Sequence, residues 1–437
     1  MKDKKNYVAA IDIGTTKIVA IVGQKNEFKK LEIVGYSSTP SKGVRRGVVL
    51  NIQDTINEIQ TVIRDVEEKT NIKIDEVFVG IAGQHIKSIQ NHGYLNRDST
   101  DDGISQNDIQ KLIDDMYRIP VDSDEEILHV IPQSYIIDGE YSEKNPIGIC
   151  GKRLEANFHI VIGKIASANN IKKCVNRVDI AVNSLILEPL ASSQAVLTNE
   201  EKEAGVALID IGGGTTDIAV FYDNVIRHTA VIPVGGNAIT NDIKTEFAVI
   251  NEQAEKLKKD YGSTLAELAP KNQIVTVPGI NGRPSREISF NSLSHVIQAR
   301  MEEIIGVISF ELESSGYMNK LGAGIVITGG GSLLKHLPQL ISFKTGLDVK
   351  IGYPNEHLAG NTDEKLNHPM FATSIGLLLE GYEILDKQNK IETGNKVKEA
   401  KTIEKPEEVK EEKKKKKPIF DNIMQKFGNF FEDEKIQ

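Results

Sequence analysis

An aspartate followed by a glycine-containing turn occurs twice in the chain, each time between two runs of β-branched residues. The first copy reads Asp12-Ile13-Gly14-Thr15-Thr16, and the second reads Asp210-Ile211-Gly212-Gly213-Gly214-Thr215-Thr216-Asp217. The backbone N–H groups of such turns can surround an anion, and glycine lets a phosphate approach the backbone closely. An aspartate at the end of each preceding strand can hold a hydrated divalent cation. The repeat therefore predicts two hairpins that clamp the phosphate tail of one nucleotide.

A single copy of this segment would leave an ordinary structural explanation open, because Asp-x-Gly sequences also form plain hairpin turns. Two copies with the same flanking strands favour phosphate binding. A third glycine segment, Gly329-Gly330-Gly331-Ser332, follows the apolar run Ile325–Thr328. We expect this turn to open a helix whose N-terminal amides face the same nucleotide.

Composition bounds the class of protein. With 437 residues, 39% hydrophobic and 26% charged, the chain is typical of a soluble globular protein of two or more domains. A net charge of −9 argues against a general nucleic-acid-binding protein. Cys150 and Cys174 are too few for a disulfide framework or a metal cluster, which fits a reducing cytoplasm. Asp12 and Lys17 interrupt the first apolar stretch, so it does not read as a signal peptide.

Helical and strand patterns alternate in two halves, and each half begins with one of the two hairpins. Between them the segment 85–160 predicts short strands and one helix, and it is interpreted as a small inserted subdomain. The other predicted elements are helices at 51–70, 167–183, 252–259, 293–313 and 370–382, a strand at 184–187, a helix opening at Glu188-Pro189, and a pair of strands within 225–233. The pattern predicts a duplicated α/β fold with two lobes around a cleft.

The last fifty residues have a different character. Residues 386–417 are nearly all Lys, Glu, Asn, Thr and Gln, so we expect a disordered linker. On a helix over 418–431, the apolar residues fall within an arc of about 140°; they are Ile419, Phe420, Ile423, Met424, Phe427, Phe430 and Phe431. This pattern predicts an amphipathic helix that binds an anionic lipid surface. Docking on a partner groove or on the protein's own core is the alternative, and Lys413–Lys417 alone could be a solvated charge run or a nucleic-acid contact.

The motifs together resemble the actin, Hsp70 and sugar kinase superfamily and, within it, the bacterial cell-division actin homologues of the FtsA family. The superfamily signals are the two phosphate segments, the segments 180–197 and 369–379, and the glycine segment 325–332. Segments more specific to FtsA are 43–49 (GVRRGVV), 81–86 (IAGQHI), 130–139, 145–154 and the tethered amphipathic terminus.

This resemblance implies a domain organisation. Subdomain IA would comprise residues 6–84 and 163–192, IC residues 85–162, IIA residues 193–230 and 296–385, and IIB residues 231–295. The linker 386–417 and the membrane-targeting helix 418–431 would follow. The resemblance also implies an actin-like (ribonuclease H-like) fold, ATP with Mg²⁺ in the cleft, self-assembly into filaments, and binding of the C-terminal peptide of the tubulin homologue FtsZ through IIB. Such a protein would tether the FtsZ ring to the cytoplasmic face of the membrane at the division site and recruit later division proteins.

The resemblance carries roles onto matching residues. Asp12 and Asp210 would hold the magnesium through water. The first phosphate loop would be Gly14, Thr15, Thr16 and Lys17, and the second Gly212, Gly213, Gly214, Thr215 and Thr216. Gly235, Gly236 and Asn237 would lie beside the phosphates, Glu255 and Lys258 would meet the ribose, and Gly329, Gly330, Gly331 and Ser332 would hold the adenosine.

Three groups of candidate residues have a second possible interpretation. Glu188, with Thr215 nearby, would orient the attacking water, although a capping role ahead of Pro189 is the other interpretation. Glu255 and Lys258 could form an exposed ion pair. Arg283 and Arg286 are candidates for contacting an acidic peptide, since arginine pairs with carboxylates in a bidentate manner, and the alternative is that they are solvated.

Rival functions share the fold. A sugar kinase would carry a sugar pocket with a catalytic carboxylate, for which no candidate is found in the sequence. An Hsp70 chaperone would need a large peptide-binding region after the core, and a filament protein of the MreB kind would lack the inserted segment. Because residues for binding are visible and residues for turnover are not, enzymatic activity is left open, with at most weak ATP hydrolysis expected.

Overall fold

The computed structural model describes residues 7–28, 30–98, 102–142, 145–360 and 363–403. The chain divides into two compact units, residues 1–385 and residues 386–437. The first unit contains all the described sheets and the candidate site. Of the second unit, the structure describes the backbone of residues 386–403, which is helical.

The strands of the described ranges are numbered in chain order. They are β1 (Tyr7–Ile13), β2 (Lys17–Lys25), β3 (Leu31–Pro40), β4 (Val44–Arg45), β5 (Val48–Val49), β6 (Glu76–Ile81), β7 (Lys87–Asn96), β8 (Glu125–Ile137), β9 (Glu140–Ser142), β10 (Arg153–Lys164), β11 (Ala181–Leu187), β12 (Val206–Ile211), β13 (Thr216–Tyr222), β14 (Val225–Ile232), β15 (Ile274–Val277), β16 (Arg286–Ser289), β17 (Ile325–Thr328) and β18 (Val349–Ile351).

The α-helices are numbered in the same way. They are α1 (Ile52–Thr70), α2 (Gln106–Met116), α3 (Ile165–Asn176), α4 (Glu188–Val196), α5 (Asn199–Ala204), α6 (Gly236–Glu246), α7 (Asn251–Tyr261), α8 (Phe290–Ser314), α9 (Leu337–Thr345) and α10 (Ala372–Ile403).

Two five-stranded sheets share one topology. The strand orders are β11-β6-β1-β2-β3 and β14-β13-β12-β17-β18. In each sheet the hairpin that carries an Asp-x-Gly turn is extended by an antiparallel third strand on one side and by two parallel strands on the other. This repetition confirms the duplicated α/β fold predicted from the sequence.

One hydrophobic cluster joins the two sheets around helices α4 and α10. It contains Ile21 of the first sheet, Leu208 of the second, Ala191 of α4 and Ile375 of α10. The two helices approach so closely at Gly376 that a Cβ atom on this residue would collide with the carbonyl group of Ala191. The N-terminal ends of α4 and α10 therefore meet at the base of the cleft between the two sheets.

The segment inserted after β6 forms its own four-stranded sheet, in the order β7-β10-β8-β9, with α2 packed against it. Its main strands are 10, 13 and 12 residues long, so the prediction of short strands was wrong. Gly93 does not end β7 but pairs with Ala156 of β10, and a Cβ atom at this position would lie 2.8 Å from Met116 Cε and 3.3 Å from the Phe158 ring.

Three local predictions also need correction. The helix predicted over 167–183 ends at Asn176, since Asp179 takes a left-handed conformation (φ 61°) and the chain then enters β11. The strand pair predicted within 225–233 is the single strand β14, which follows a two-residue turn at Asp223-Asn224 and pairs with β13. The glycine segment after β17 forms only a 3₁₀ turn over Gly330–Leu333, and α9 begins later, at Leu337.

Helix α10 continues through residues 386–403, the first part of the predicted disordered linker. Lys, Glu, Gln and Ala in this segment are good helix formers even without an apolar face. The remaining linker residues 404–417 and the predicted amphipathic helix 418–431 lie outside the described residues. Within the described part of the chain, none of the helices combines the length and hydropathy needed to cross a bilayer.

Candidate functional site

The two Asp-x-Gly turns face each other at close range. A hydrogen bond from the Gly14 amide to the Lys17 carbonyl (3.1 Å) closes the first turn, and one from Gly212 to Thr215 (2.9 Å) closes the second. A Cβ atom on Gly214 would lie 2.5 Å from the Thr15 hydroxyl oxygen. Glycine is therefore required in the second turn for the two hairpins to come this close.

A cavity of about 600 Å³ lies between the two hairpins. Most of the residues predicted to bind nucleotide line it. They are Asp12, Gly14, Thr15, Thr16, Lys17, Glu188, Asp210, Gly212, Gly213, Gly214, Thr215, Gly236, Asn237, Glu255, Lys258, Gly329, Gly330 and Gly331. Residues that the sequence places far apart thus come together in a single cleft.

Three predicted site residues do not line the cavity. The Thr216 hydroxyl donates to the Val234 carbonyl (2.8 Å), and the Ser332 hydroxyl donates to the Gly329 carbonyl (2.7 Å). Gly235 packs beneath the second turn, where a Cβ atom would meet the carbonyl oxygens of Gly212 and Thr215. These three residues hold the shape of the loops in this structure.

Besides Glu255, four carboxyl residues line the cavity: Asp12, Glu188, Asp210 and Asp217. Burial raises the pKa of each of them, and neighbouring carboxylates raise the pKa of Glu188, Asp210 and Asp217 further. The pKa values of Glu188 and Asp217 lie well above their ordinary range. Without a cation, the cluster is expected to retain protons that isolated carboxylates would release.

Hydroxyl groups from the two central helices orient the aspartates. Ser374 of α10 donates to Asp12 Oδ2 (2.8 Å), while Ser192 of α4 and Thr373 of α10 donate to Asp210 Oδ2 at 2.6 and 3.1 Å. These hydrogen bonds lower the pKa of each aspartate, but burial raises it by a larger amount. The aspartates are therefore fixed to the helices at the base of the cleft.

Lys17 is the cation nearest to this cluster. Its Nζ donates to the Met370 carbonyl (2.8 Å) and lies 3.9 Å from the centre of the Phe371 ring. Burial lowers the pKa of Lys17, and the charges of Asp12 and Asp210 oppose that shift. Lys17 thus supplies positive charge beside the first turn while its ammonium group is held by the segment that precedes α10.

Glu255 and Lys258 form a partly buried pair that faces the cavity. Lys258 Nζ lies 2.7 Å from Glu255 Oε2 and also donates to the Gly236 carbonyl (3.0 Å) and the Thr240 hydroxyl (2.9 Å). Burial would raise the pKa of Glu255, but the Lys258 ammonium group and the hydrogen bonds lower it overall. The pair ties α7 to the start of α6 and is not an exposed surface pair, because only 8% of Lys258 is exposed.

Glu188 is the first residue of α4, and its side chain lies against Gly80 of β6. Its Cγ atom lies 3.1 Å from where a Cβ atom would sit on Gly80 of β6. No side chain caps the start of α4 by a hydrogen bond, so a capping role for Glu188 finds no support in this geometry. Thr215 donates its hydroxyl to Asp217 Oδ2 (3.1 Å) within the same cavity.

The site suits a hydrated cation better than a directly chelated one. Among the described residues, no three His, Cys, Asp or Glu side chains converge closely enough to hold a metal ion themselves. Asp217 also lines the cavity, and its Oδ1 atom is buried without a hydrogen-bond partner. Mg²⁺ usually keeps several of its waters, which could satisfy such oxygens.

Several lining residues had not been assigned from the sequence. They include Gly47, Asp217, Lys335, His368, Met370 and Thr373. Asp217 ends the second motif, so its position was visible although its role was not. The positions of Ser192, Thr373 and Ser374 at the beginning of helices were also visible in the sequence. Each of these residues follows within a few positions of a proline that opens a helical turn, Pro189 or Pro369. Gly47 gave no such signal, because its contact with the first turn depends on the tertiary fold.

Replacement of Gly329 by alanine is expected to destabilise the protein. The added Cβ atom would collide with Asp210 Oδ1, and the positive φ of 79° adds backbone strain of roughly 1–2 kcal/mol. Gly330→Ala is the matched control, because nothing lies within 4 Å of its added Cβ atom. Thermal unfolding without nucleotide should show a clear loss of stability for Gly329→Ala and little change for Gly330→Ala. Equal melting temperatures for the two variants would contradict the packing of this turn on Asp210.

Two lobes of repeated topology around a shared cleft define an actin-like protein. Solved structures with this fold include a type IV pilus biogenesis complex of PilM and PilN (TM-score 0.61, 15% identity, covering 86% of this chain and 98% of that one). MreB 5 of Spiroplasma citri bound to AMPPNP is similar as well (TM-score 0.52, 15% identity, covering 90% of this chain and 100% of that one). At these identities the likeness concerns the fold.

The sequence comparisons give the family. The model of cell division protein FtsA matches residues 207–376, and that of the SHS2 domain inserted in FtsA matches residues 83–162. The cell division protein FtsA of Pseudomonas aeruginosa is 40% identical over 376 residues, which cover 86% of this chain and 89% of that protein. The chain belongs to the FtsA family of cell division proteins, which confirms the resemblance drawn from its motifs.

Proposed function

We propose that this cell division protein binds ATP with Mg²⁺ in the cleft and links the FtsZ ring to the cytoplasmic face of the membrane. The observation that carries the nucleotide part is one cavity lined by both glycine hairpins and by the carboxyl residues Asp12, Glu188, Asp210 and Asp217. A related fold, MreB 5 of Spiroplasma citri, has been solved with AMPPNP bound, which supports the same kind of ligand here.

The proposed arrangement divides the cavity by chemistry. The amides of the two turns would bind the phosphates, and Lys17 would neutralise part of their charge. Glu255 and Lys258 would meet the ribose, while the turn at 329–331 would lie beside the adenosine. Asp12 and Asp210 would hold Mg²⁺ through its waters, and Asp217, which also lines the cavity, would accept from the same water shell.

Glu188 and Thr215 are the proposed groups for ATP hydrolysis, which we expect to be weak. Both line the cavity beside the second turn. Binding of a cation would favour the ionised form of Glu188, whose pKa burial raises, and the carboxylate could then accept a proton from water.

The membrane part of the proposal depends on residues 418–431, which lie outside the described residues. Their seven apolar side chains would enter an anionic lipid surface, and Lys413–Lys417 would add roughly 1 kcal/mol per lysine near that surface. Self-assembly into filaments and recruitment of later division proteins complete the proposal, by analogy with the family.

The FtsZ peptide is proposed to bind beside the hairpin formed by β15 and β16. Arg283 lies in its turn and Arg286 begins β16, and both residues are exposed. Arg286 pairs with Val277 through the backbone, so its side chain remains available for an acidic peptide. Arginine suits this role because its planar group binds a carboxylate with two hydrogen bonds.

A peptide-binding measurement tests this assignment. The double variant Arg283→Ala/Arg286→Ala is expected to bind a labelled FtsZ C-terminal peptide about tenfold more weakly, a loss of about 1.4 kcal/mol. Fluorescence anisotropy would measure the affinity, and Arg118→Ala, an exposed arginine of the inserted segment, is the control. Unchanged affinity in the double variant would remove the two arginines from the proposed interface. Sedimentation with lipid vesicles and the peptide, with and without ATP, would test the linked activities.

A further inference from the structure

A short hairpin, β4–β5, contacts the first Asp-x-Gly turn. The Gly47 amide donates to the Thr15 hydroxyl oxygen (3.2 Å), and the Ser41 amide donates to the Thr16 carbonyl (3.0 Å). Gly47 also lines the cavity. The hairpin is thus attached to the loop that is proposed to hold phosphate.

The same residue of the hairpin, Gly47, also lies against the segment that leads into the inserted domain. A Cβ atom on Gly47 would lie 2.7 Å from Gly83 Cα and 2.9 Å from Gly83 N. Gly83 lies two residues after the end of β6 and four residues before β7, the first strand of the insert, and it has a φ of +125°. A Cβ atom on Gly83 would in turn lie 3.2 Å from the Arg46 carbonyl and 2.9 Å from the His85 ring. Close contacts therefore run without a gap from Thr15 through Gly47 and Gly83 to His85.

The hairpin that forms this connection is strained and firmly anchored. Arg46 adopts a left-handed conformation (φ 51°), which costs roughly 1–2 kcal/mol for a residue with a side chain. Val44 and Val49 hold its two strands in the core of the first lobe. Such strain persists only where the surrounding structure enforces it, and it is common at functional sites.

The far end of the connection is also unusual. Both ring nitrogens of His85 are buried and have no hydrogen-bond partner. Burial of a polar ring without a hydrogen-bond partner is unfavourable, so the surrounding packing has to hold His85 in this position. Because backbone atoms in contact cannot be compressed, a displacement of Thr15 would pass to Gly83 as a movement.

We propose that Gly47 is a positioning residue that couples occupation of the cleft to the orientation of the inserted domain, residues 87–164. This inference rests on the proposed binding of ATP. A phosphate that accepts a hydrogen bond from the Thr15 hydroxyl redirects that group while its oxygen still accepts from Gly47. The hairpin follows Thr15, and Gly83, at the start of the insert, follows the hairpin.

The native cysteines allow a direct test. Cys150 is exposed in the inserted domain, whereas Cys174 is buried and burial raises its pKa to about 11, so labels would react with Cys150. A second label on Arg64→Cys, an exposed site of α1, gives a distance between the insert and the first lobe. Pulsed electron resonance would measure that distance in the full-length protein with Mg²⁺ and either ATP, ADP or no nucleotide. ATP is expected to change it by about 2 Å or more, the scale of domain shifts in switching proteins.

Two variants test whether the change in distance depends on the contacts that join Gly47, Gly83 and His85. Gly47→Ala places a methyl group against Gly83 and is expected to abolish the ATP-dependent change, whereas Gly346→Ala is expected to retain it. Gly346 is the matched control because its φ of 73° is close to the 74° of Gly47, while nothing lies within 4 Å of its added Cβ atom. His85→Ala, which removes the last contact without removing a hydrogen bond, should reduce the change by at least half and covers the case in which Gly47→Ala fails to fold.

Calorimetry on the same samples separates the outcomes. If ATP does not bind the native protein, the proposed function itself fails. If ATP binds and the distance stays constant, or if the change persists in Gly47→Ala and His85→Ala at saturating ATP, the coupling through Gly47 is overturned.

Discussion

Asp210→Ala is expected to lower the affinity for ATP with Mg²⁺ by about a hundredfold or more. Asp210 lies near the end of β12, is 7% exposed, and lines the same cavity as Asp12. The substitution would remove a carboxylate proposed to bind the metal's waters and leave Ser192 and Thr373 without their shared acceptor. The loss of one charged contact to the metal's waters is expected to cost about 2.7 kcal/mol of binding free energy, which corresponds to that factor. Isothermal titration calorimetry would measure the affinity.

Asp210→Asn separates the charge from the hydrogen bonds. Its amide oxygen can still accept from Ser192 and Thr373, so the fold should be retained while ATP–Mg²⁺ binding is lost. Without nucleotide this variant is expected to be more stable than the native protein, because it relieves repulsion within the carboxylate cluster. Asp260→Ala, at an exposed position of α7, is the control for both variants.

The stabilisation by Asp210→Asn should depend on pH in a defined direction. Burial raises the pKa of Asp210 in the folded protein above its ordinary value of 3.8. Between those two values the folded protein binds more protons than the unfolded one, so the native protein loses stability as the pH rises. The advantage of the asparagine variant should therefore grow from pH 4 upward and level off above the folded pKa. A constant or shrinking advantage in thermal unfolding without nucleotide would contradict the buried carboxylate cluster.

Deletion of residues 418–437 is expected to abolish binding to anionic vesicles. On the predicted helix the seven apolar residues of 418–431 would share one face, and a helix this short is marginal in water without a surface to fold against. The amount of protein that sediments with vesicles containing phosphatidylglycerol would fall to the amount that sediments without vesicles. Binding of ATP–Mg²⁺ should remain, because none of the proposed nucleotide residues lies in the deleted segment.

Point variants distinguish lipid binding from a general effect of charge. Ile423→Glu places a carboxylate in the apolar face and should reduce vesicle binding nearly as much as the deletion. Asn422→Glu adds the same charge on the polar face one residue away and should retain most of it. Equal vesicle binding of the two point variants, or vesicle binding that persists in the deletion variant, would contradict the proposal that the apolar face of this segment binds lipid.

The fold was predictable where a pattern repeats. The two Asp-x-Gly segments flanked by β-branched strands identified both hairpins, and the alternation around them predicted the duplicated sheets. Boundaries that depend on one residue's conformation were missed, such as the end of α3 near Asp179. The long strands of the insert were underestimated because Gly93 looks like a break in sequence, whereas in the structure it makes room for Met116 and Phe158.

The candidate site was predictable to the extent that its residues lie within motifs. Turn residues such as Gly14 and Gly214 line the cavity as expected, but Ser332 and Thr216, from the same motifs, turn their hydroxyls into the loops. The hydroxyls that orient the aspartates come from α4 and α10, and the contact between Gly47 and Thr15 joins segments 32 residues apart. Such partners follow from the packing of elements, which a single sequence does not contain.

The most direct test of the account is a crystal structure of the protein with AMPPNP and Mg²⁺. The account predicts one nucleotide per chain, with its phosphates between the turn at Gly14–Thr16 and the turn at Gly212–Thr215, and with a hydrated metal ion beside Asp12 and Asp210. A nucleotide that contacts only one of the two turns, or that lies outside the cavity they share, would contradict it.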